Sequence, residues 1–125
     1  MRGPTDYHNG SDGVYIISVA ARIVEMHPQT LRKYERIGLV SPFRTGGMLR
    51  LYSEEDLARL RLIKHLVGDL GLNLSGVELV LAIFNRLLKL RVEAEVAGTR
   101  GRVELKRVVD ESLGEMFQML GVGAR

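Results

Sequence analysis

Two short helical patterns separated by a tight turn constrain the fold of this 125-residue chain more than any other feature. Ser18 is a candidate N-cap, and apolar residues follow it at helical spacing. Pro28 suits the first position of a second helix, which we expect to run to about Ile37. Gly38 is the expected residue just past its end. Two helices joined in this way form the helix-turn-helix pattern.

The next segment has the composition of a β-hairpin. Leu39–Val40 and Leu49–Tyr52 are apolar and strand-like, and turn formers such as Pro42 and Gly46–Gly47 lie between them. We therefore predict a hairpin, or wing, after the helix-turn-helix. Ser53–Asp56 matches a capping box and should start a further helix. The apolar residues of that helix are Leu57, Leu60, Ile63, Leu66 and Val67.

The rest of the chain is predicted to be helical. Ser75–Glu78 is a second capping-box pattern, followed by a helix that we expect to persist to Ala97. Gly98–Gly101 interrupts it, and an amphipathic helix runs from Arg102 to Leu120. A compact domain of about 80 residues cannot bury both helices, so we predict that a second copy of the chain covers the last one. The predicted dimerisation residues are Leu105, Val109, Leu113, Met116, Phe117 and Leu120.

The placement of charge points to a polyanion partner. The net charge is only +3, but the segment from His27 to Arg50 has a large cationic excess, with Glu35 as its one acid. Its cations are Arg32, Lys33, Arg36, Arg44 and Arg50. The plainer interpretation of such a segment is a solvated surface.

A helical wheel divides the second helix into two faces. One face is apolar and is formed by Leu31, Tyr34 and Ile37. The opposite face carries Gln29, Arg32, Lys33 and Arg36, with Glu35 between the two. Arg and Gln can donate to base edges in a major groove that admits a helix, and Lys and Arg can hold phosphates.

The hairpin carries arginines on both sides of its glycine-rich turn. Arg44 and Arg50 suit contact with a nucleic-acid backbone or a minor groove. The plainer alternative is that they only keep the hairpin soluble. Tyr52 fits phosphate binding and a place in the core equally well.

Other classes of protein lack their characteristic residues. With no cysteine, the chain cannot form a disulfide scaffold or a thiolate zinc site. Residues 1–13 contain no apolar signal segment and read as a flexible leader, so we expect a cytoplasmic chain without a membrane span. The three histidines have no metal-ligand spacing, and no catalytic motif is present. We therefore expect neither an enzyme nor a bound cofactor or metal.

Four separated motifs resemble the MerR family of winged-helix regulators. They are Ile17–Ala20, His27–Glu35, Gly38–Pro42 and Arg50–Leu57, and the match covers residues 15 to about 81. Met26–Arg32 is most similar to the HspR branch, the heat-shock repressors. The resemblance implies a mainly α fold, a winged helix-turn-helix with a small β-hairpin wing, followed by C-terminal dimerisation helices. We expect the DNA-binding domain at residues 14–82 and the helical dimerisation region at residues 83–125.

The resemblance also implies a function. It implies a homodimer that binds an inverted-repeat operator in double-stranded DNA and represses chaperone genes, with a DnaK-type chaperone as co-repressor, in the nucleoid. The matching recognition-helix positions are Gln29, Thr30, Arg32, Lys33 and Tyr34, and Arg36 lies on the same donor face. The matching wing positions are Arg44, Arg50 and Tyr52.

The chain departs from the family pattern in two regions. Apolar residues stand at the wing tip in Gly46–Arg50, and Gly98–Gly101 interrupts the C-terminal helix. Without cysteines or an effector domain, metal-sensing and drug-sensing activators match poorly. A second function stays open, that of a MerR-like modulator which binds a chaperone or co-chaperone and not DNA. The donor face of the second helix argues against it.

Overall fold

The computed structural model describes residues 14–122, so the leader predicted at residues 1–13 lies outside the described residues. The chain divides into two compact units between Asn73 and Leu74. The first contains a helix-turn-helix and a small sheet, and the second contains two long helices. The predicted fold class, a mainly α winged helix followed by C-terminal helices, is confirmed. This division lies before residue 82, where we predict that the DNA-binding domain ends. The functional boundary at residue 82 stays a prediction.

The helix-turn-helix consists of α1 (Ile17–Val24) and α2 (Pro28–Arg36). Glu25, in the left-handed conformation, ends α1. His27 caps α2, because its Nδ1 accepts a hydrogen bond of 3.0 Å from the backbone N–H of Gln29. The prediction that Ser18 is the N-cap of α1 is wrong. The helix already begins at Ile17, directly after a strand, and has no side-chain cap.

Gly38 ends α2 as predicted. Its φ of +87° lies in the left-handed region that glycine adopts without strain. Gly38 N–H donates to the Glu35 carbonyl at 3.0 Å, and Leu39 N–H donates to the Tyr34 carbonyl at 2.8 Å. This pair of hydrogen bonds is the Schellman motif, which turns the chain sharply and favours burial of the apolar residue that follows the glycine.

The predicted first strand of the wing, Leu39–Val40, is wrong, and the same turn explains why. Leu39 and Val40 are buried and belong to no strand. The strand lies further on, after Pro42, at β2 (Phe43–Arg44). The apolar pair enters the core because the Schellman turn directs it there.

A three-stranded antiparallel sheet completes the wing. Its order is β1 (Tyr15–Ile16), β3 (Arg50–Tyr52), β2, with Tyr15 opposite Tyr52 and Arg44 opposite Arg50. No strand is predicted before Ser18, so the pairing of β1 with β3 is a finding of the structure.

Helix α3 (Glu54–Lys64) begins at the predicted capping box. Ser53 Oγ accepts from Asp56 N–H, and Asp56 Oδ2 accepts from Ser53 N–H, both at 3.0 Å. Helix α1 packs against α2, α3 and β3. The fully buried core residues of this unit include Ala20, Leu31, Tyr52, Leu57, Leu60 and Ile63.

The predicted apolar face of α3 ends one residue early, because Val67 is exposed. A π-helical turn at His65–Asp69 follows α3. A π turn takes more residues than an α turn, so it shifts the phase of the apolar stripe. Leu66 stays buried and Val67 turns outward.

The second unit is a hairpin of two helices, α4 (Leu74–Gly98) and α5 (Arg102–Met119). They are antiparallel, and Arg86 of α4 pairs with Glu115 of α5. The second predicted capping box is wrong, because α4 begins at Leu74 and Ser75 already lies inside it. None of the helices in the described range is long and apolar enough to cross a membrane. The buried residues of α5 are Val108, Ser112 and Met116.

Candidate nucleic-acid interface

The two predicted faces of α2 exist in the structure. Leu31 is fully buried, whereas Gln29, Lys33 and Arg36 are exposed. Arg32 is half-buried, and its Nη1 donates to Gln29 Oε1 at 3.1 Å. Both side chains are therefore held on the same exposed face of the helix.

Three other residues of this helix region lie between the faces or depart from them. Thr30 and Tyr34 are half-buried. Ile37, predicted on the apolar face, is exposed. It is the C-cap residue, with non-helical dihedral angles, so it no longer follows the helical spacing.

Glu35 joins α2 to the wing. One carboxylate oxygen, Oε2, accepts from Arg44 Nη2 at 2.9 Å and from Arg44 Nε at 3.2 Å. The other, Oε1, accepts from Arg50 Nε at 2.6 Å. Arg44 and Arg50 face each other across β2 and β3, so one carboxylate holds both wing arginines. Sequence reasoning missed this link, although the single acid within the basic segment was its signal.

The ion pairs also determine the protonation of Glu35. Partial burial acts to raise the pKa of its carboxyl group, but hydrogen bonds and charge from Arg50 and Arg44 outweigh it and leave the pKa below the ordinary value. Glu35 is therefore ionised at neutral pH and neutralises part of the local cationic charge.

A cleft of about 330 Å³ opens between α2 and the wing. It is lined by Arg32, Glu35, Arg36, Arg44 and Arg50. Four cations and one anion give its lining a formal charge of +3 (4 − 1). Guanidinium groups in this number match phosphate oxygens, so a polyanion backbone is the ligand whose chemistry fits the cleft.

Tyr52 does not belong to this surface. Its side chain is 0% exposed, which corrects its prediction as a phosphate-binding wing residue and favours the alternative place in the core. Burial, the largest cause, raises the pKa of its phenol to about 12. Tyr52 is the last residue of β3, the central strand of the sheet, and the one residue of that strand that is buried.

The wing tip carries an apolar residue in an unusual backbone conformation. Met48 has a φ of +71° and is 68% exposed. Its N–H donates to the Thr45 carbonyl at 2.9 Å, which closes the turn around Gly46–Gly47. Glycine is the residue that ordinarily occupies such a left-handed position in a hairpin.

The predicted dimerisation residues of α5 separate into three groups according to their exposure. Leu113, Phe117 and Leu120 are 41%, 49% and 55% exposed, and Leu105 and Val109 are half-buried. Met116 is buried within the single chain, so its assignment to the dimer surface is wrong. It lies on the side of α5 that also carries the buried Val108 and Ser112, at helical spacing.

A family model described as MerR HTH family regulatory protein matches residues 15–82. The chain belongs to the MerR family. The match includes α1, α2, the wing, α3 and the start of α4. The resemblance drawn from the four sequence motifs is thereby confirmed.

Individual MerR-family relatives agree with this assignment. A Streptomyces coelicolor protein that carries the provisional name heat shock protein HspR is 47% identical over 81 residues, which cover 65% of this chain and 54% of the relative. The HTH-type transcriptional regulator ZntR of Escherichia coli K12 is 34% identical over 104 residues, 82% of this chain and 66% of its own length. The HTH-type transcriptional regulator GlnR of Bacillus anthracis is 32% identical over 101 residues, which cover 80% of this chain and 77% of the relative.

The chain spans about half of the HspR and just under two thirds of ZntR. These relatives are named for transcriptional regulation or heat shock, and none is named as an enzyme. Within residues 14–122, no group of three or more metal-ligating side chains is close enough to hold an ion.

Proposed function

We propose that this MerR-family chain is a sequence-specific DNA-binding repressor that acts as a homodimer on an inverted repeat. The observation that carries the proposal is the donor face of α2, which stands beside the arginine-lined cleft of the wing. A helix face of Gln, Arg and Lys suits base edges in the major groove, and an adjacent cluster of arginines suits the phosphates.

The proposed roles follow from chemistry and position. Gln29 and Arg32 are joined by a hydrogen bond and are the candidates for reading bases. Lys33 and Arg36 are exposed cations suited to phosphates, and Thr30 and Tyr34 flank them. Arg44 and Arg50 would position the wing on the backbone more than they select sequence.

The proposed dimer rests on α5. Leu113, Phe117 and Leu120 form an exposed apolar set next to the face of α5 that is already buried. Two copies would each bring one α2 to a half-site, so the symmetry of the operator would mirror that of the protein.

The heat-shock role rests on sequence similarity. The chain is 47% identical over 81 residues to the Streptomyces HspR, and its Met26–Arg32 segment, at the turn and the start of α2, is the one similar to the HspR branch. We therefore propose chaperone genes as targets and a DnaK-type chaperone as co-repressor. Such a protein would work in the cytoplasm, at the nucleoid.

The purified protein first selects its operator from a random DNA pool. Two alanine variants then distinguish a residue that reads bases from one that contacts phosphate. Arg32→Ala should cost about 1–3 kcal/mol per half-site on the operator and relax selectivity at one base pair. Lys33→Ala should weaken binding to all sequences and lower the salt slope by roughly 1. Both are titrated against operator and scrambled DNA at several salt concentrations.

Equal losses on both DNAs for Arg32→Ala would reject its role in reading bases. No loss on either DNA for both variants would reject the DNA-binding face. That second result would favour the alternative function, a modulator that binds a chaperone partner.

A further inference from the structure

Glu35 is the one acidic side chain in the lining of the arginine cleft, and it contacts both wing arginines. An anion is out of place in a surface suited to a polyanion, because it repels phosphate and cancels one favourable charge. Its position therefore requires an explanation in terms of what it does to the arginines.

The geometry of the contacts supplies one. Arg50 uses only its Nε for Glu35, and its two terminal nitrogens make no hydrogen bond with any residue in the range 14–122. Arg44 uses Nε and Nη2 for Glu35, and its Nη1 donates to the Met48 carbonyl at 3.5 Å. Each guanidinium group is thus held along one edge and keeps donors for a second partner.

The restraint crosses two elements. Glu35 lies on α2, whereas Arg44 and Arg50 lie on β2 and β3. The wing arginines are therefore held at fixed positions relative to the helix that carries Arg32. Arginine loses considerable side-chain entropy when it is fixed, and here that loss is already incurred before DNA binds.

We propose that Glu35 is a positioning residue that sets the ratio of specific to non-specific DNA affinity. It holds the two wing arginines in register with α2, and it removes one unit of charge from indiscriminate phosphate binding. The proposal rests on the proposed DNA-binding function and adds to it a residue that does not itself contact DNA.

The test uses the full chain and Glu35→Gln, which keeps the shape of the side chain and removes its charge. Glu95→Gln is the matched control, because Glu95 is exposed on α4 and makes the same change in net charge outside the cleft. Binding to the selected operator and to scrambled DNA of equal length is measured from low to high salt. Thermal unfolding of each variant is recorded in the same buffers.

For Glu35→Gln on scrambled DNA, we expect the slope of log affinity against log salt concentration to steepen by about 0.9 for each additional phosphate that the arginines neutralise. One such phosphate changes the affinity about eightfold between 1 M and 0.1 M salt. Operator affinity should fall or stay constant, because the arginines are no longer fixed relative to α2. The ratio of the two affinities should therefore drop by about an order of magnitude at 0.1 M salt. Glu95→Gln should keep the wild-type ratio.

The proposal is overturned if Glu35→Gln keeps the wild-type ratio and slopes, or if both affinities change by the same factor. Should Glu35→Gln fold poorly, Glu35→Asp replaces it. The shorter side chain keeps the charge but withdraws the carboxylate from at least one arginine, so a ratio below that of the wild type supports the proposal and an unchanged ratio overturns it. A wild-type protein that does not prefer its selected operator rejects the proposed function itself, which is a distinct result.

Discussion

The first unit buries a set of large apolar side chains completely and exposes others at separate places along the chain, whereas the second leaves several of them exposed on one face of α5. Leu31, Tyr52 and Leu60 are all fully buried in the winged helix. In the hairpin, Leu113, Phe117 and Leu120 stay exposed while Val108 and Met116 on the same helix are buried. A unit with a complete core needs no partner to be stable, and an exposed apolar helix face is the usual mark of an interaction surface.

The two units also differ in how their charged side chains are arranged. The second unit pairs them along its own helices, since Arg107 contacts Glu104 and Glu111, and Lys106 contacts Asp110. The first unit instead gathers arginines in one cleft around Glu35. The surface suited to a polyanion therefore lies on the first unit, and the proposed dimer surface lies on the second.

The largest expected effect is a loss of stability that distinguishes a core residue from a residue on a surface that needs a partner. Leu31→Ala should lower the free energy of unfolding by about 2–5 kcal/mol, equally at low and high protein concentration. Leu113→Ala should cost about 1 kcal/mol, and only at concentrations where dimers form, because in the proposed dimer a second copy buries this side chain. Urea unfolding at two well-separated protein concentrations measures both.

Val103→Ala is the control for that comparison, because Val103 is exposed but lies outside the predicted dimer residues. It should leave stability unchanged at both concentrations. A concentration-independent cost for Leu113→Ala would remove the distinction between the two units.

A smaller effect tests the buried place of Tyr52. Because its pKa is raised from 10.0 to about 12, the folded state favours the neutral phenol. That contribution is complete below pH 10 and is lost as the pH rises from about 10 to about 12. Over this window the wild type should lose about 2 kcal/mol more stability than Tyr52→Phe.

At neutral pH, Tyr52→Phe should bind operator DNA as the wild type does, since the phenol is buried. Thermal unfolding across the alkaline range and one DNA titration check both statements. Weaker DNA binding by a stably folded Tyr52→Phe would restore the phosphate-binding interpretation.

The smallest effect concerns the wing tip. Met48→Gly relieves a left-handed conformation that costs a side-chain-bearing residue about 1–2 kcal/mol, but it also makes the unfolded chain more flexible by roughly 0.5–1 kcal/mol. We expect a net gain in stability of about 0.5 kcal/mol. Differential scanning calorimetry of wild type and variant decides it, and a loss of stability would show that the side chain packs favourably at this position.

The local features of the first unit could be predicted because they depend on neighbouring residues. Pro28, Gly38 and the capping box at Ser53–Asp56 each act within one helical turn, and all three appear in the structure where expected. Strand β1 was missed because two residues carry no periodicity, and its existence depends on pairing with β3.

The part of the candidate site that the sequence did not predict depends on contacts between residues that are distant along the chain. No spacing rule shows that the Glu35 carboxylate lies between Arg44 and Arg50, because strand pairing places the two arginines opposite each other and tertiary contacts bring both to α2. Likewise, helical spacing places Met116 and Leu113 near each other on α5 but does not show which of them faces α4. Val67 turns outward because a π-helical turn shifts the pattern, and nothing in its composition announces such a turn.

The most direct test of the account asks whether α5 joins two DNA-reading units. Affinity is measured for the selected inverted repeat and for the same DNA with one half-site scrambled, using wild type and Phe117→Asp. The wild type should lose a factor of about 10²–10⁴ when one half-site is lost, because in the proposed dimer the two α2 helices bind as a linked pair. Phe117→Asp should bind both DNAs with the same weak affinity, and a Phe117→Asp variant that keeps the wild-type preference for the intact repeat would contradict the account.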